Sequence, residues 1–243
     1  MTTTKFLFSE LTKVYSLPDI ERQAKLIANN QSFEWSASAS HLIKASCDPA
    51  VSPSFRVKEA NSVDIISKWV SSYFGGLSNR TSIKVSKPPK TKHDDALSAL
   101  VEGSHPHLSR EDIDWMLYSH RVLMSSENIL GHALEEYLQS KLIDIGWHWA
   151  CGSVLNSVDF VSDDMEYLQI KSRNNSENSS SKKARNGRDI KMWWRFNAYT
   201  GQTNWKELNK LVRAKDGYLS EDGFRSFLVE LTKSNPRLLG FTS

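Results

Sequence analysis

The sequence predicts a mixed α/β fold in which a small sheet is flanked by helices and preceded by a helical extension. Apolar residues recur at helical spacing through most of the first 145 residues. After Gly146 the runs become short, aromatic and β-branched, as is typical of strands. Helical spacing returns after residue 204. The order of helices, strands and helices favours one mixed core with helical additions.

The N-terminal part is predicted to be mainly helical. In SVDIISKWVSSYFGG a polar Ser62 precedes apolar residues at helical spacing, and a glycine pair stands at the end. Two prolines and alternating charge in KVSKPPKTKHDD then indicate a loop. We therefore divide the chain into a helical region, residues 1–90, and a core, residues 91–243, packed as one compact unit.

Two consecutive helices are predicted before Gly146. Ser109 followed by Asp112 is an N-cap pattern, and Ser126 is placed to start a second helix. An apolar face runs through that second helix to Leu142, and Gly146 ends it.

Strands are predicted in WHWACGSV, SVDFV and EYLQIK, with Asp163–Asp164 as the turn of a hairpin. WWRFNAYTG is a further candidate strand, with at least one of its two tryptophans in the core. NWKELNKLVRAKDG and SEDGFRSFLVELTKSN are predicted as closing helices.

Composition excludes several classes of protein. The 243 residues are 39% hydrophobic and 24% charged, which is ordinary for a globular protein. No stretch approaches the roughly 20 apolar residues of a membrane span, and the N-terminus does not resemble a secretion signal. Cys47 and Cys151 are too few for a disulfide framework or a zinc site. We expect a cytoplasmic protein without a membrane partner.

Positive charge is concentrated in two segments. Eight basic residues stand against two acidic ones between Lys171 and Arg195, although the net charge of the whole chain is only +3. The second cluster comprises Arg80, Lys84, Lys87, Lys90 and Lys92. Such patches are typical of surfaces that bind polyphosphates, although a solvated loop without a partner gives the same pattern.

Three elements that carry acidic or amide groups occur in a fixed order. Glu135, with Glu136 beside it, lies on a predicted helix; Asp159 lies on the next strand; and Gln169-Ile170-Lys171 lie on the strand after that. Side chains alternate across a strand, so Gln169 and Lys171 share one face. A hairpin at Asp163–Asp164 brings Asp159 opposite them.

These groups suit Mg²⁺-dependent phosphodiester hydrolysis. Mg²⁺ takes oxygen ligands, here the Asp159 carboxylate, the Gln169 side-chain oxygen and the Ile170 carbonyl. Lys171 is placed to orient or deprotonate the attacking water and to offset charge on the phosphate. Glu135 reaches the site from the helix, through a water or a second metal.

GHALEEYL, SVDFV and LQIKSR together resemble the PD-(D/E)xK nuclease core, and the stretch from GWHWACG to KKARNG is similar to the SinI-type family of type II restriction endonucleases. The resemblance implies a restriction-endonuclease-like fold, Mg²⁺ dependence, a homodimer, double-strand cleavage of a short palindrome (GGWCC, where W is A or T) and a cognate DNA methyltransferase. Two positions depart from the pattern: Val158 replaces the usual proline, and Gln169 replaces an acid.

The basic loop that leaves the catalytic strand is expected to contact double-stranded DNA. Asn and Arg pair with base edges, whereas Lys suits phosphates, although Ser- and Asn-rich segments are also common as flexible linkers. The candidate DNA-binding residues are Arg173, Asn174, Asn175, Ser176, Asn178, Lys182, Lys183, Arg185, Arg188 and Lys191.

Two other functions remain compatible with these residues. Gln169 also fits a DNA-binding protein whose nuclease core has lost catalysis, although Asp159 and Lys171 are retained. A structure-selective nuclease of repair or recombination would use the same core.

Overall fold

A four-stranded mixed sheet is the centre of the computed structural model, which describes residues 4–58, 61–84, 94–174 and 189–239. Its strands are β3 (Trp147–Trp149), β4 (Phe160–Ser162), β5 (Tyr167–Arg173) and β6 (Ile190–Phe196), in that order across the sheet. The first three strands are antiparallel, and β6 is parallel to β5. The predicted mixed α/β class is confirmed.

Three helices form most of the N-terminal region: α1 (Leu17–Asn30), α2 (Ala37–Ser46) and α3 (Ser62–Ser78). The region also holds two strands that were not predicted, β1 (Thr4–Leu7) and β2 (Ser54–Val57), which pair antiparallel.

The glycine pair does not end α3 directly, since the helix continues to Ser78. A Cβ at Gly76 would lie 2.6 Å from the backbone nitrogen of Gly152. Gly152 itself has φ +73°, and a Cβ there would lie 1.8 Å from the carbonyl oxygen of Ser72. The glycines therefore let α3 approach the loop after β3 backbone to backbone.

Helix α4 (Asp95–Ser104) is followed by α5 (Arg110–Leu142), a single helix where two were predicted. Ser109 and Asp112 form the expected capping box. Ser126 starts no second helix, because its hydroxyl donates to the carbonyl of Val122 inside α5. At 1.5 Å per residue, α5 is about 50 Å long. Gly146, with φ +76°, follows the last turn before β3, as expected.

Helices cover both faces of the sheet at β3. The side chain of Trp149 reaches α5, where its indole bonds Glu135, whereas the ring of His148 lies against His41 of α2. Two further helices in the described part of the chain are α6 (Trp205–Leu211) and α7 (Glu221–Ser234). Trp193 of β6 is fully buried against Trp205.

One hydrophobic cluster joins both parts of the chain, from Phe8 to Phe224. The predicted division at residue 90 falls outside the described residues and stays a prediction. None of the helices described is both long and apolar enough to cross a membrane.

Candidate active site

Asp159 stands immediately before β4 and is tied into the sheet through its backbone. Its N–H donates to the carbonyl of Leu168 at 2.9 Å, and its carbonyl accepts from Ala150 N at 2.8 Å. Its carboxylate oxygen Oδ2 accepts the backbone N–H of Ile170 at 2.7 Å. The predicted hairpin therefore exists, and it sets Asp159 against the Gln169–Lys171 segment.

Glu135 and Glu136 have different surroundings although they are neighbours on α5. Glu135 accepts a hydrogen bond from the indole nitrogen of Trp149 at 3.1 Å and lines a cleft of about 470 Å³ together with Asp159. Glu136 is buried and accepts both the backbone N–H and the hydroxyl of Ser82. Of the two, Glu135 is the acid that shares a cleft with Asp159.

The two acids interact electrostatically. Burial, and then the nearby charge of Glu135, raise the pKa of Asp159 to about 7, against the opposing effects of the Ile170 N–H and the Lys171 ammonium. Burial also raises the pKa of Glu135, and the hydrogen bond from Trp149 and the charge of His132 offset part of that rise. Holding both carboxylates ionised in this cleft is therefore costly without a cation.

The donor set fits Mg²⁺. Asp159 and Glu135 offer carboxylate oxygens, which a hard cation prefers, and their mutual repulsion is the kind that a divalent ion relieves. These residues are therefore suited to hold the ion implied by the sequence resemblance.

Gln169 and Lys171 alternate along β5 with the buried Leu168 and Ile170, so they share the face that was predicted for them. Lys171 acts electrostatically on Asp159, and it also lines a second cleft of about 320 Å³ with Arg173 and Arg195. The structure therefore brings Asp159, Glu135, Ile170 and Lys171 together, with Gln169 on the same strand.

A basic turn forms one wall of the larger cleft. Arg80 and Lys84 line it, and the turn between them is held by two separate helices. Glu136 binds Ser82 from α5, while the side-chain amide of Asn235, after α7, donates to the carbonyls of Thr81 at 3.0 Å and Lys84 at 2.7 Å. Sequence reasoning did not find Trp149, Glu136 or Asn235 in these roles, because no local pattern links residues so far apart in the chain.

Three of the candidate DNA-binding residues are described, and each has a protein partner. Arg173 pairs with Glu127 of α5 at 2.9 Å, Asn174 accepts from the backbone of Ala198, and Lys191 pairs with Glu166 at 2.9 Å. The others lie outside the described residues, namely Asn175, Ser176, Asn178, Lys182, Lys183, Arg185 and Arg188.

The mixed sheet, with an acidic helix packed on it and an aspartate at the strand before β5, is consistent with a restriction-endonuclease-like core. The model of the SinI restriction endonuclease family matches residues 29–233, which is most of the chain. The chain therefore belongs to the SinI restriction endonuclease family.

Two relatives are named type II restriction enzymes. SinI of Salmonella infantis is 40% identical over 146 residues, and Eco47I of Escherichia coli is 36% identical over 146 residues. Each match covers 58% of this chain and 62% of the relative, so the chain spans less than two thirds of the length of either enzyme.

Proposed function

We propose that the protein is a type II site-specific endodeoxyribonuclease that makes Mg²⁺-dependent double-strand breaks in DNA. The observation that carries the proposal is the cleft in which Asp159 and Glu135 repel each other within reach of the Lys171 charge, in a member of the SinI restriction endonuclease family. Two relatives of this family are named type II restriction enzymes.

Different residues of the cleft have different roles in phosphodiester hydrolysis. Asp159 and Glu135 would hold Mg²⁺, with the Gln169 amide oxygen and the Ile170 carbonyl as further oxygen donors. A bound Mg²⁺ supplies Lewis-acid polarisation of the phosphodiester and lowers the pKa of nearby water. Lys171 orients the attacking water and offsets the negative charge that develops on the phosphate. Arg80 and Lys84, which line the same cleft, contact the phosphates of the DNA backbone.

Recognition is assigned to the segment that follows β5. Arg173, Asn174 and Lys191, together with the basic and amide residues between them, contact the DNA, and the pairs that Arg173 and Lys191 make in the free protein exchange for DNA contacts on binding. A homodimer matches the twofold symmetry of a palindrome, since one active site cuts one strand. We propose GGWCC as the target and a cognate DNA methyltransferase as the partner in the same system.

Cleavage of plasmid DNA tests the activity. The purified protein with Mg²⁺ should give discrete fragments from a plasmid that contains GGWCC, and EDTA should abolish them. Run-off sequencing of the ends should give one repeated sequence. A matched plasmid without GGWCC should stay intact; fragments that map to another repeated sequence would reject the target but keep the enzyme class. Smears, or cuts only at junctions and nicks, would reject the site-specific function.

Variants of β5 separate an active nuclease from a DNA-binding protein without catalysis. Lys171→Met should reduce cleavage by roughly 100-fold or more while DNA binding in Ca²⁺ persists. Lys206→Met, which removes an exposed charge from α6, is the control and should cut normally. Gln169→Ala should slow cutting severely, and Gln169→Glu should retain activity. A wild-type protein that binds GGWCC but never cuts it with Mg²⁺ would favour the non-catalytic function instead.

A further inference from the structure

A second group of ligand-type side chains lies on the other side of the sheet from Glu135. His41 of α2, His148 of β3 and Asp163 after β4 each present one ligand atom, and these atoms all lie within 4.8 Å of one another. The two imidazole rings have centroids 4.5 Å apart, and His148 Nε2 lies 2.8 Å from Asp163 Oδ1. Three separate segments of the chain therefore converge on one point.

The hairpin of β3 and β4 positions Asp163. His148 is directly opposite Val161, so Asp163 is its diagonal neighbour on the same face. The Asp163 N–H donates to the carbonyl of Gly146 at 2.8 Å, and a Cβ at Gly146 would lie 2.3 Å from Asp163 Oδ2. A side chain at Gly146 would displace the carboxylate from this position.

Each histidine also has a protein partner of the kind that orients metal-binding imidazoles. His148 Nδ1 lies 3.0 Å from the Ser38 hydroxyl, on the opposite side of the ring from Asp163. His41 Nε2 lies 2.8 Å from the carbonyl of Ser162, which fixes the ring proton on Nε2 and leaves the lone pair on Nδ1. A hydrogen bond from the second ring nitrogen to a carbonyl or hydroxyl is usual where histidine binds a metal. Burial lowers the pKa of His41, which favours the neutral imidazole over the charged form.

We propose that His41, His148 and Asp163 bind one divalent transition-metal ion of the zinc class. Two imidazoles and one carboxylate suit Zn²⁺, Ni²⁺ or Co²⁺, whereas Mg²⁺ prefers an all-oxygen set. Zinc bonds of about 2.0–2.2 Å place ligand atoms roughly 3.4 Å apart. His148 Nε2 and Asp163 Oδ1, now 2.8 Å apart, would separate slightly around the ion, and rotation of the Asp163 side chain, which is 71% exposed, allows that adjustment. The bound ion would cross-link α2 to the hairpin of the central sheet.

Thermal unfolding with Zn²⁺ tests the site in the full chain. The protein is freed of metal by a chelator, dialysed, and heated with no metal, with ZnCl₂ and with MgCl₂ at the same concentration. At a Zn²⁺ concentration about 100 times the Kd, Tm should rise by roughly 5 °C. His41→Gln and Asp163→Asn should each lose this rise, and each should bind one Zn²⁺ ion fewer than the wild-type chain.

Two control variants exclude other zinc sites. Asp159→Asn should keep the Zn²⁺ shift, because the cluster is separate from the nuclease cleft. His107→Gln should also keep it, although the exposed His105 and His107 rings lie only 5.8 Å apart and form an alternative surface site. The proposal would be overturned if Zn²⁺ did not raise the Tm of the wild-type protein. It would also be overturned if the rise in Tm persisted in His41→Gln and disappeared in either control. The three side chains would then form only a hydrogen-bonded cluster.

Chemical modification of the wild-type protein gives a readout that does not depend on how well variants fold. Zn²⁺ should protect His41 and His148 from diethylpyrocarbonate, followed by peptide mass spectrometry, while His107 stays reactive. Equal modification of His41 and His148 with and without Zn²⁺ would contradict the site. Neither experiment depends on DNA cleavage, so the outcome is independent of the proposed nuclease function.

Discussion

The two ends of strand β4 carry aspartates in contrasting surroundings. Asp159 precedes the strand, is half-buried at a cleft and faces a second carboxylate, Glu135, while Asp163 follows the strand, is 71% exposed and faces two histidines. The difference arises from what packs on each side of the sheet: α5 brings a carboxylate to one face, and α2 brings an imidazole to the other. The three residues of β4 thus separate the carboxylate oxygens around Asp159 from the set around Asp163, in which two of the three ligand groups are imidazoles.

The largest expected effect is on DNA cleavage, which should depend on Asp159 and not on Asp163. Asp159→Asn should reduce Mg²⁺-dependent plasmid cleavage by roughly 1,000-fold, because it removes the carboxylate on which the metal and the phosphate depend. Asp163→Asn, the matched change at the other end of β4, should cut within a few-fold of wild type. Equal losses in the two variants would mean that both sites serve one reaction, and the contrast would fail.

The adjacent glutamates of α5 give the next largest effect, on stability. Glu136→Gln weakens two hydrogen bonds to Ser82 inside the protein and should lower the free energy of unfolding by about 1–3 kcal/mol. Glu135→Gln removes a half-buried charge that repels Asp159 and should stabilise the metal-free protein by about 1 kcal/mol at pH 8 while it impairs cleavage. Urea unfolding at pH 8 measures both; a larger loss of stability for Glu135→Gln would reverse the assignment.

A smaller effect is expected in the pH dependence of the metal-free protein. The folded-state pKa of Asp159, about 7, lies above its unfolded value of roughly 3.9, so the folded state holds the proton more tightly. This contribution to stability is complete below about pH 4 and is lost as the pH rises to about 7. Urea unfolding from pH 5 to pH 8 should therefore show a decline that is reduced in Asp159→Asn. An unchanged slope in Asp159→Asn would argue against the raised pKa.

The smallest effect concerns Gly146, which supports only the Asp163 side. Gly146→Ala places a side chain in the left-handed region, at φ +76°, and pushes its Cβ against the Asp163 carboxylate. We expect a loss of about 1–2 kcal/mol in the free energy of unfolding and a weaker response to Zn²⁺. Cleavage per folded molecule should be unchanged. Gly217→Ala, also at a positive φ but with open space around its Cβ, should cost only the backbone strain.

The order of elements and the hairpin around Asp159 were predictable because they depend on short-range patterns. Turn residues at Asp163–Asp164 and alternation along SVDFV and EYLQIK suffice to set Asp159 against Ile170. The helix start predicted at Ser126 was wrong, because a local pattern cannot distinguish two roles of serine. A serine can cap the start of a helix, or it can lie inside a helix and donate to the carbonyl four residues earlier, as Ser126 does.

The sequence could not predict which of Glu135 and Glu136 shares the cleft with Asp159. Both flank the same apolar face of α5, and only the packing of a turn 54 residues away decides which one is buried against Ser82. The histidine cluster is a similar case, since His41 and His148 are 107 positions apart and no spacing relates them.

By itself the sequence determined the class of fold, the order of its elements and the groups of the acidic constellation, because periodicity, turn residues and residue chemistry are local properties. Tertiary structure alone decided which glutamate meets Asp159, what raises the pKa of that aspartate, and which helix brings a histidine to Asp163. Those outcomes depend on the packing of α2 and α5 against opposite faces of one sheet, where distance and burial set the strength of each charge interaction.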